Sequence, residues 1–167
     1  MLPILPQHAM LLGLGVDLLS VPRLEALISR RTAHRLAERI CSPRELDAFV
    51  SLPSRYHDPS TLQAQQTRFL ASRSWAAKEA AYKALPRWPT GWGWKNLDLQ
   101  YTARGSPMLE LVPPQGRDAE AVARRRERRG EGGGGEDLDP ARVGLMLSLS
   151  HDADMIVAAV VAQREGD

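Results

Sequence analysis

Three short stretches of the chain carry side chains that could do chemistry. Asp17 stands near the end of a mostly apolar run, residues 10–19, which also contains Gly13 and Gly15. The run suits a buried strand whose glycines permit close backbone approach. A carboxylate there needs a cation, a metal or a proton to offset burial, unless it already emerges into solvent or caps the helix after Leu19. The second stretch is Trp75-Ala76-Ala77-Lys78-Glu79-Ala80-Ala81-Tyr82-Lys83. Helical spacing sets Trp75, Glu79 and Lys83 on one stripe, so a carboxylate and an amine are presented side by side. Read alone, that is an ordinary i,i+4 ion pair worth about 0.3–0.5 kcal/mol. The third is Ser148-Leu149-Ser150-His151-Asp152. Strand alternation sends both serines to one face, with a histidine where the strand ends. No GxSxG elbow is present, and Ser-His adjacency in sequence is not triad geometry.

The elements that must position these residues follow from periodicity and turn chemistry. Pro22 suits a first helical turn, and Leu24, Leu27 and Ile28 continue with helical spacing. A second helical stretch covers residues 34–40. Ser42-Pro43-Arg44-Glu45 is a capping-box start for a short helix, and residues 53–60 read as loop. Residues 67–85 lack glycine and proline and are rich in alanine, which predicts the longest helix, packed closely against another element. The Pro- and Gly-rich stretch around Trp88, Trp92 and Trp94 is a loop. Leu97, Leu99 and Tyr101 alternate with polar residues, Gly105-Ser106-Pro107 turns, and residues 108–112 return as a hairpin partner. Residues 143–150 and 155–162 form two further strands joined by a polar turn, His151-Asp152-Ala153-Asp154. Helices come early and strands late, which predicts one α+β domain over residues 1–167, a mainly antiparallel sheet packed against a long helix. Residues 113–142 interrupt it with an arginine cluster, four consecutive glycines at 132–135 and an acidic end. Such a composition cannot offset its own ordering entropy, so the segment reads as a mobile insertion with a helical turn or two before Gly130.

Composition narrows the setting. At 167 residues and 43% hydrophobic content the chain supports one core. Basic and acidic residues nearly cancel, 22 against 20, yet Arg23, Arg30, Arg31, Arg35, Arg39 and Arg44 crowd one early stretch, which suits either a solvated helix face or an acidic partner. The lone Cys41 excludes an internal disulfide and a cysteine-rich metal cluster, as expected of an intracellular protein. The apolar opening, residues 1–14, is short, lacks arginine and runs into a structural strand, so neither a signal peptide nor a membrane span is expected.

Taken in order, the three stretches resemble the holo-acyl-carrier-protein synthase type of 4′-phosphopantetheinyl transferase. Gly15-Val16-Asp17, Lys78-Glu79-Ala80-Ala81-Tyr82-Lys83 and Ser148-Leu149-Ser150-His151 match its three motifs, with Arg23 six residues after Asp17 and Cys41-Ser42-Pro43-Arg44-Glu45-Leu46 at a helix start. Trp94-Lys95-Asn96-Leu97 and Gly105-Ser106-Pro107 are similar to its middle strand and Gly-x-Pro turn. The resemblance implies transfer of phosphopantetheine from coenzyme A to a serine of an apo acyl carrier protein, as in fatty acid biosynthesis, with release of adenosine 3′,5′-bisphosphate. It implies Mg2+ held by Asp17 and Glu79, catalytic roles for Glu79 and Lys83, and coenzyme A contacts from Lys83, Gly105, Pro107, Ser148 and His151. Arg23 and Arg44 would dock the acidic carrier, and the chain would form a homotrimer in the cytoplasm or mitochondrial matrix. Two departures stand out: compact members of the family lack the insertion at 113–142, and the family arginine lies five residues before the helix glutamate, whereas Arg73 lies six before Glu79. That is a turn of about 100° around a helix unless a bulge absorbs one residue. The rival reading, an RNA-binding module using the arginine cluster and the tryptophan loop, explains neither Asp17 nor Glu79.

Overall fold

The structure, a computed structural model, describes residues 9–88, 91–129 and 138–164. Strand β1 (Met10–Ser20) leads directly into helix α1 (Val21–Arg31), followed by α2 (Ala33–Ile40) and α3 (Pro43–Val50). Next come α4 (Pro59–Phe69), a π-helical segment (Leu70–Ala76) and α5 (Ala77–Ala84), which run on without a break. The hairpin β2 (Leu97–Tyr101) and β3 (Pro107–Leu111) precedes α6 (Gly116–Arg129), and β4 (Val143–Asp152) and β5 (Met155–Arg164) close the chain. The expected α+β architecture holds. Antiparallel strands in the order β1-β5-β4 form one sheet, β2 and β3 form another, and β3 lies beside β4.

Two glycines decide how the long helix meets this sheet. A Cβ on Gly15 would collide with the carbonyl oxygen of Ala80, and one on Gly13 with that of Ala84. The backbones of β1 and α5 therefore touch, and Ala80 and Ala84 are buried in the contact. Leu24, Phe49, Leu70, Leu97, Leu99 and Val160 fill the core around it, each worth roughly 1.5–3 kcal/mol on full burial. Phe49 and Phe69 meet edge to face at 5.6 Å between ring centroids.

A second node is polar. Lys78, wholly buried, donates to the carbonyls of Ile40 (2.7 Å) and Trp94 (3.0 Å) and to Glu45 Oε2 (2.6 Å). Glu45 is the acid of the expected capping box: its Oε2 accepts from Ser42 N at 2.8 Å and its Oε1 from Leu99 N at 2.9 Å. Burial pushes the Glu45 carboxyl up and the Lys78 amine down, against the pull of each charge on the other. With every ammonium proton donated, the pair ties α2, α3, α5 and β2 together.

Two boundaries differ from the sequence expectation. The long helix begins at Pro59, inside the stretch read as loop, because Asp58 accepts a hydrogen bond from Thr61 N and Pro59 occupies the first turn. Asp58 is thereby held at a low pKa of about 2, first by Ser60 Oγ and then by Thr61. Residues 116–129 form a 14-residue helix, longer than a turn or two, since alanine, glutamate and arginine all favour helix. Its described side chains are largely exposed. The glycine run at 132–135 and residues 1–8 lie outside the described residues, so mobility of the former and the character of the latter stand as read from sequence.

Gly15→Ala should destabilise the fold by about 1–3 kcal/mol, the usual cost of forcing atoms into a packed contact. Urea unfolding checks this, and an unchanged midpoint would show that α5 can retreat from β1 freely.

Candidate active site

The contact between β1 and α5 sets the chemistry. Asp17 follows Gly15 on the strand face that meets the helix, with its side chain only 14% exposed, and Lys83 comes from the last turn of the helix, one residue before its end. Lys83 Nζ donates to Asp17 Oδ1 and to the carbonyl of Val16, both at 2.9 Å. The ion pair of Lys83 is thus across the fold rather than the i,i+4 pair with Glu79 that spacing alone suggests. Glu79 lies close enough to feel both charges. Its carboxyl is raised above the ordinary carboxylate value, first by burial and then by the neighbouring Asp17 charge, with Lys83 pulling the other way. Two carboxylates that interact electrostatically beside one lysine leave a net negative locus that favours a further cation.

The sheet register separates this cluster from the third motif. Asp17 pairs with Ala158, and Ala158 with Leu149, so these three share the face packed on α5. Ser148 and Ser150 flank Leu149 and face the opposite way, both exposed. His151 returns to the Asp17 face, paired with Ile156 opposite Leu19, but two strand spacings away, about 9.5 Å across the sheet. Gly105 and Pro107 sit at the β2–β3 turn, where Gly105 adopts φ +80°. Within one chain the structure brings Asp17, Glu79 and Lys83 together and leaves Ser148, His151, Gly105 and Pro107 apart from them.

Arg23 is exposed on α1 and shares a helix face with Leu27 and Arg31. Leu27 and Arg31 line a groove of about 360 Å3 with Leu36, Arg39, Ile40, Trp75 and Trp94. Trp75 and Trp94 meet edge to face at 5.3 Å between centroids. This arginine-rimmed apolar groove was visible in sequence only as a crowd of arginines; that Leu27, Leu36 and Trp75 lie between them depends on packing. Arg44 instead lies 3.6 Å from the buried carboxylate of Asp98, which also accepts a hydrogen bond from Ser42 Oγ. Arg73 falls inside the π-helical segment. A π turn closes its hydrogen bonds five residues apart, so it takes up the one extra residue between Arg73 and Glu79.

The match that settles the family spans residues 13–131, more than half the chain, and includes all three clustered residues. The chain belongs to the 4′-phosphopantetheinyl transferase superfamily. It is 33% identical over 153 residues to a holo-[acyl-carrier-protein] synthase of Desulforudis audaxviator, covering 92% of this chain and 93% of that one. It is 35% identical over 167 residues to the mitochondrial 4′-phosphopantetheinyl transferase B of Aspergillus fumigatus, covering 90% and 93%. The holo-ACP-synthase structure from Plasmodium yoelii shares the fold, with a TM-score of 0.64 at 20% identity over 96% of this chain and 100% of that chain.

Asp17→Asn should lower the Glu79 pKa, because it removes the negative charge that helps raise it while Lys83 remains nearby to hold the carboxylate ionised. Carbon-13 NMR titration of the Glu79 carboxyl in metal-free protein checks the sign. An unchanged or higher titration midpoint would mean that the two carboxylates do not interact.

Proposed function

We propose that this transferase moves the 4′-phosphopantetheine group of coenzyme A onto a serine of an apo acyl carrier protein, releasing adenosine 3′,5′-bisphosphate. The observation that carries the reading is the meeting of Asp17, Glu79 and Lys83 at one point, each from a motif of the family. The synthase name borne by the Desulforudis relative supports the carrier protein as acceptor.

Two adjoining carboxylates fit Mg2+, which binds through one or two carboxylates together with substrate phosphates and water, although among the described residues no cluster of three ligating side chains exists. When bound, Mg2+ supplies neutralisation of the charge that builds on the coenzyme pyrophosphate. Lys83 is half exposed, so its ammonium can exchange Asp17 for a phosphate oxygen and stabilise the same charge. Glu79, beside Asp17 and Lys83, is the group we assign to take the proton of the attacking serine hydroxyl. The serine oxygen bonds to the phosphorus that bears pantetheine, and the bond from that phosphorus to the adenosine bisphosphate oxygen breaks.

The carrier would dock along α1. The stripe of Arg23, Leu27 and Arg31 runs from the end of β1, which holds Asp17, to the groove at Trp75, and an acidic amphipathic helix would satisfy both its charge and its apolar floor. Arg44, tied to Asp98, would contribute from the edge. The remaining motif residues call for a second copy. Leu14 (63% exposed), Val16, Leu18 (61%), Val157 and Met146 make an open apolar sheet face, and Ser148 lies on it. In a homotrimer that buries this face, Ser148 would lie at the interface between copies, and a neighbour would supply His151, Gly105 and Pro107 to the site. The segment 113–142 we take as an insertion outside this site. The setting would be the cytoplasm or mitochondrial matrix, and no helix among the described residues is long and apolar enough to cross a membrane. The RNA-binding alternative loses support because Trp88 and Trp94 pack against the core and are each engaged by another aromatic ring, Tyr82 and Trp75.

Mass spectrometry of an apo acyl carrier protein incubated with the enzyme, coenzyme A and Mg2+ should show the addition of one phosphopantetheine. In the same assay Arg23→Glu should raise the KM for the carrier about tenfold or more and leave the KM for coenzyme A within about twofold, as expected for reversal of one docking charge. No mass gain would overturn the function, and equal rises in both KM values would remove Arg23 from the carrier surface.

A further inference from the structure

A pair of aromatic rings borders the charged cluster and has no part in the account so far. Tyr82 lies on α5 between Ala81 and Lys83, three residues beyond Glu79 and so on a neighbouring part of the same helix surface. It is 36% exposed. Trp88, from the loop after α5, stacks on it with ring centroids 4.1 Å apart and planes inclined by 23°. Trp88 in turn rests against the hydrophobic core, so the stack is anchored from below and presents Tyr82 outward. The Trp88 indole N–H is buried and finds no acceptor among the described residues. Among the described residues, packing and stacking hold the ring.

The two flanks of Glu79 therefore differ in chemistry. On one side Lys83 is drawn across to Asp17 and the Val16 carbonyl, which makes a charged locus for phosphate. On the other lies a flat, largely apolar platform whose one exposed polar atom is a phenol. Its hydroxyl is a neutral donor near neutral pH. A coenzyme with a charged pyrophosphate and a neutral arm of gem-dimethyl, methylene and amide groups matches that division. Aromatic faces pack well on such methyl groups, and amide carbonyls are the acceptor type that the exposed phenol seeks.

Resting on the phosphopantetheinyl transfer reading above, we propose that the Tyr82–Trp88 stack is the binding wall for the pantetheine arm of coenzyme A beside the Asp17–Glu79–Lys83 cluster. The stack acts as a positioning element: it holds the arm so that the phosphorus bearing it stays against Glu79 and Lys83. It takes no part in breaking or forming bonds.

Coenzyme A and adenosine 3′,5′-bisphosphate, which lacks the arm, separate this role from any other. Calorimetric titration of the full-length protein with each should show Tyr82→Ala weakening coenzyme A about tenfold while adenosine 3′,5′-bisphosphate stays within about twofold, the size expected for losing one packed aromatic contact. Tyr82→Phe, which keeps the stack, should retain most of the coenzyme affinity. Equal losses for both ligands would show that the stack merely shapes the end of α5, and no loss for either would show that the arm lies elsewhere. Unchanged coenzyme binding with a raised KM for the carrier would assign the platform to the carrier instead; each of these three results overturns the proposal. Failure of the wild-type protein to bind coenzyme A at all would instead count against the transferase reading. Tyr82 is partly exposed, so both variants should fold, and circular dichroism at the titration temperature verifies it.

Discussion

The backbone contact between β1 and α5 is the constraint on which the rest depends. Gly13 and Gly15 have no side chain to hold the helix away, and the carbonyls of Ala84 and Ala80 occupy the space that a Cβ would take. The small residues on both sides exchange side-chain volume for proximity. That proximity turns Asp17 from a carboxylate at a strand end into one that faces Lys83 at 2.9 Å and raises the proton affinity of Glu79. A larger residue at either glycine would move a helix, and with it two of the three charged groups, by a distance that matters for phosphate chemistry.

The helix motif divides its labour by angle. Lys78 and Lys83 are five residues apart, about 140° around an α-helix, so they leave it on different sides. Lys78 points into the core and is fully used by Ile40, Trp94 and Glu45, whereas Lys83 remains half exposed and serves the site. Burying an ion pair is a costly way to stabilise a core, and its worth here lies in geometry. Glu45 joins a helix cap to the amide of Leu99, and Lys78 joins that cap to the active helix, so the rotation of α5 about its axis is locked. A π-helical turn precedes α5 at the other end, and Arg73 lies within it.

Much of this was legible in the sequence because short-range rules govern it. The alternation at Leu97, Leu99 and Tyr101, the Gly105-Ser106-Pro107 turn, the Ser42–Glu45 capping box and the glycines of β1 each specify local structure, and each appears in the fold. Asp58-Pro59 is an equally local signal, an N-cap followed by a first-turn proline, set in a stretch whose two prolines, Pro53 and Pro59, otherwise favour loop. Other features depend on distant pairs and cannot be read from spacing. The partner of Lys83 is 66 residues away in Asp17, not four away in Glu79, and the groove between Leu27, Leu36 and Trp75 exists only once three helical segments meet. The π turn was one of two alternatives that the offset of Arg73 left open, since sequence marks an extra residue without saying whether the helix rotates or widens. Ser148 and Asp17 share a sheet yet face opposite ways, a separation that no motif order reveals.

In the proposed reaction Asp17 and Glu79 would form a single cation site that acts on the coenzyme pyrophosphate. Calorimetric measurement of coenzyme A affinity with and without Mg2+, in the wild type and in Asp17→Ala and Glu79→Ala, tests that claim most directly. Mg2+ should tighten coenzyme binding to the wild type and have little effect on either variant, because each loses one of the two protein ligands that Mg2+ sites of this kind use. A variant that keeps the full Mg2+ enhancement would contradict the account.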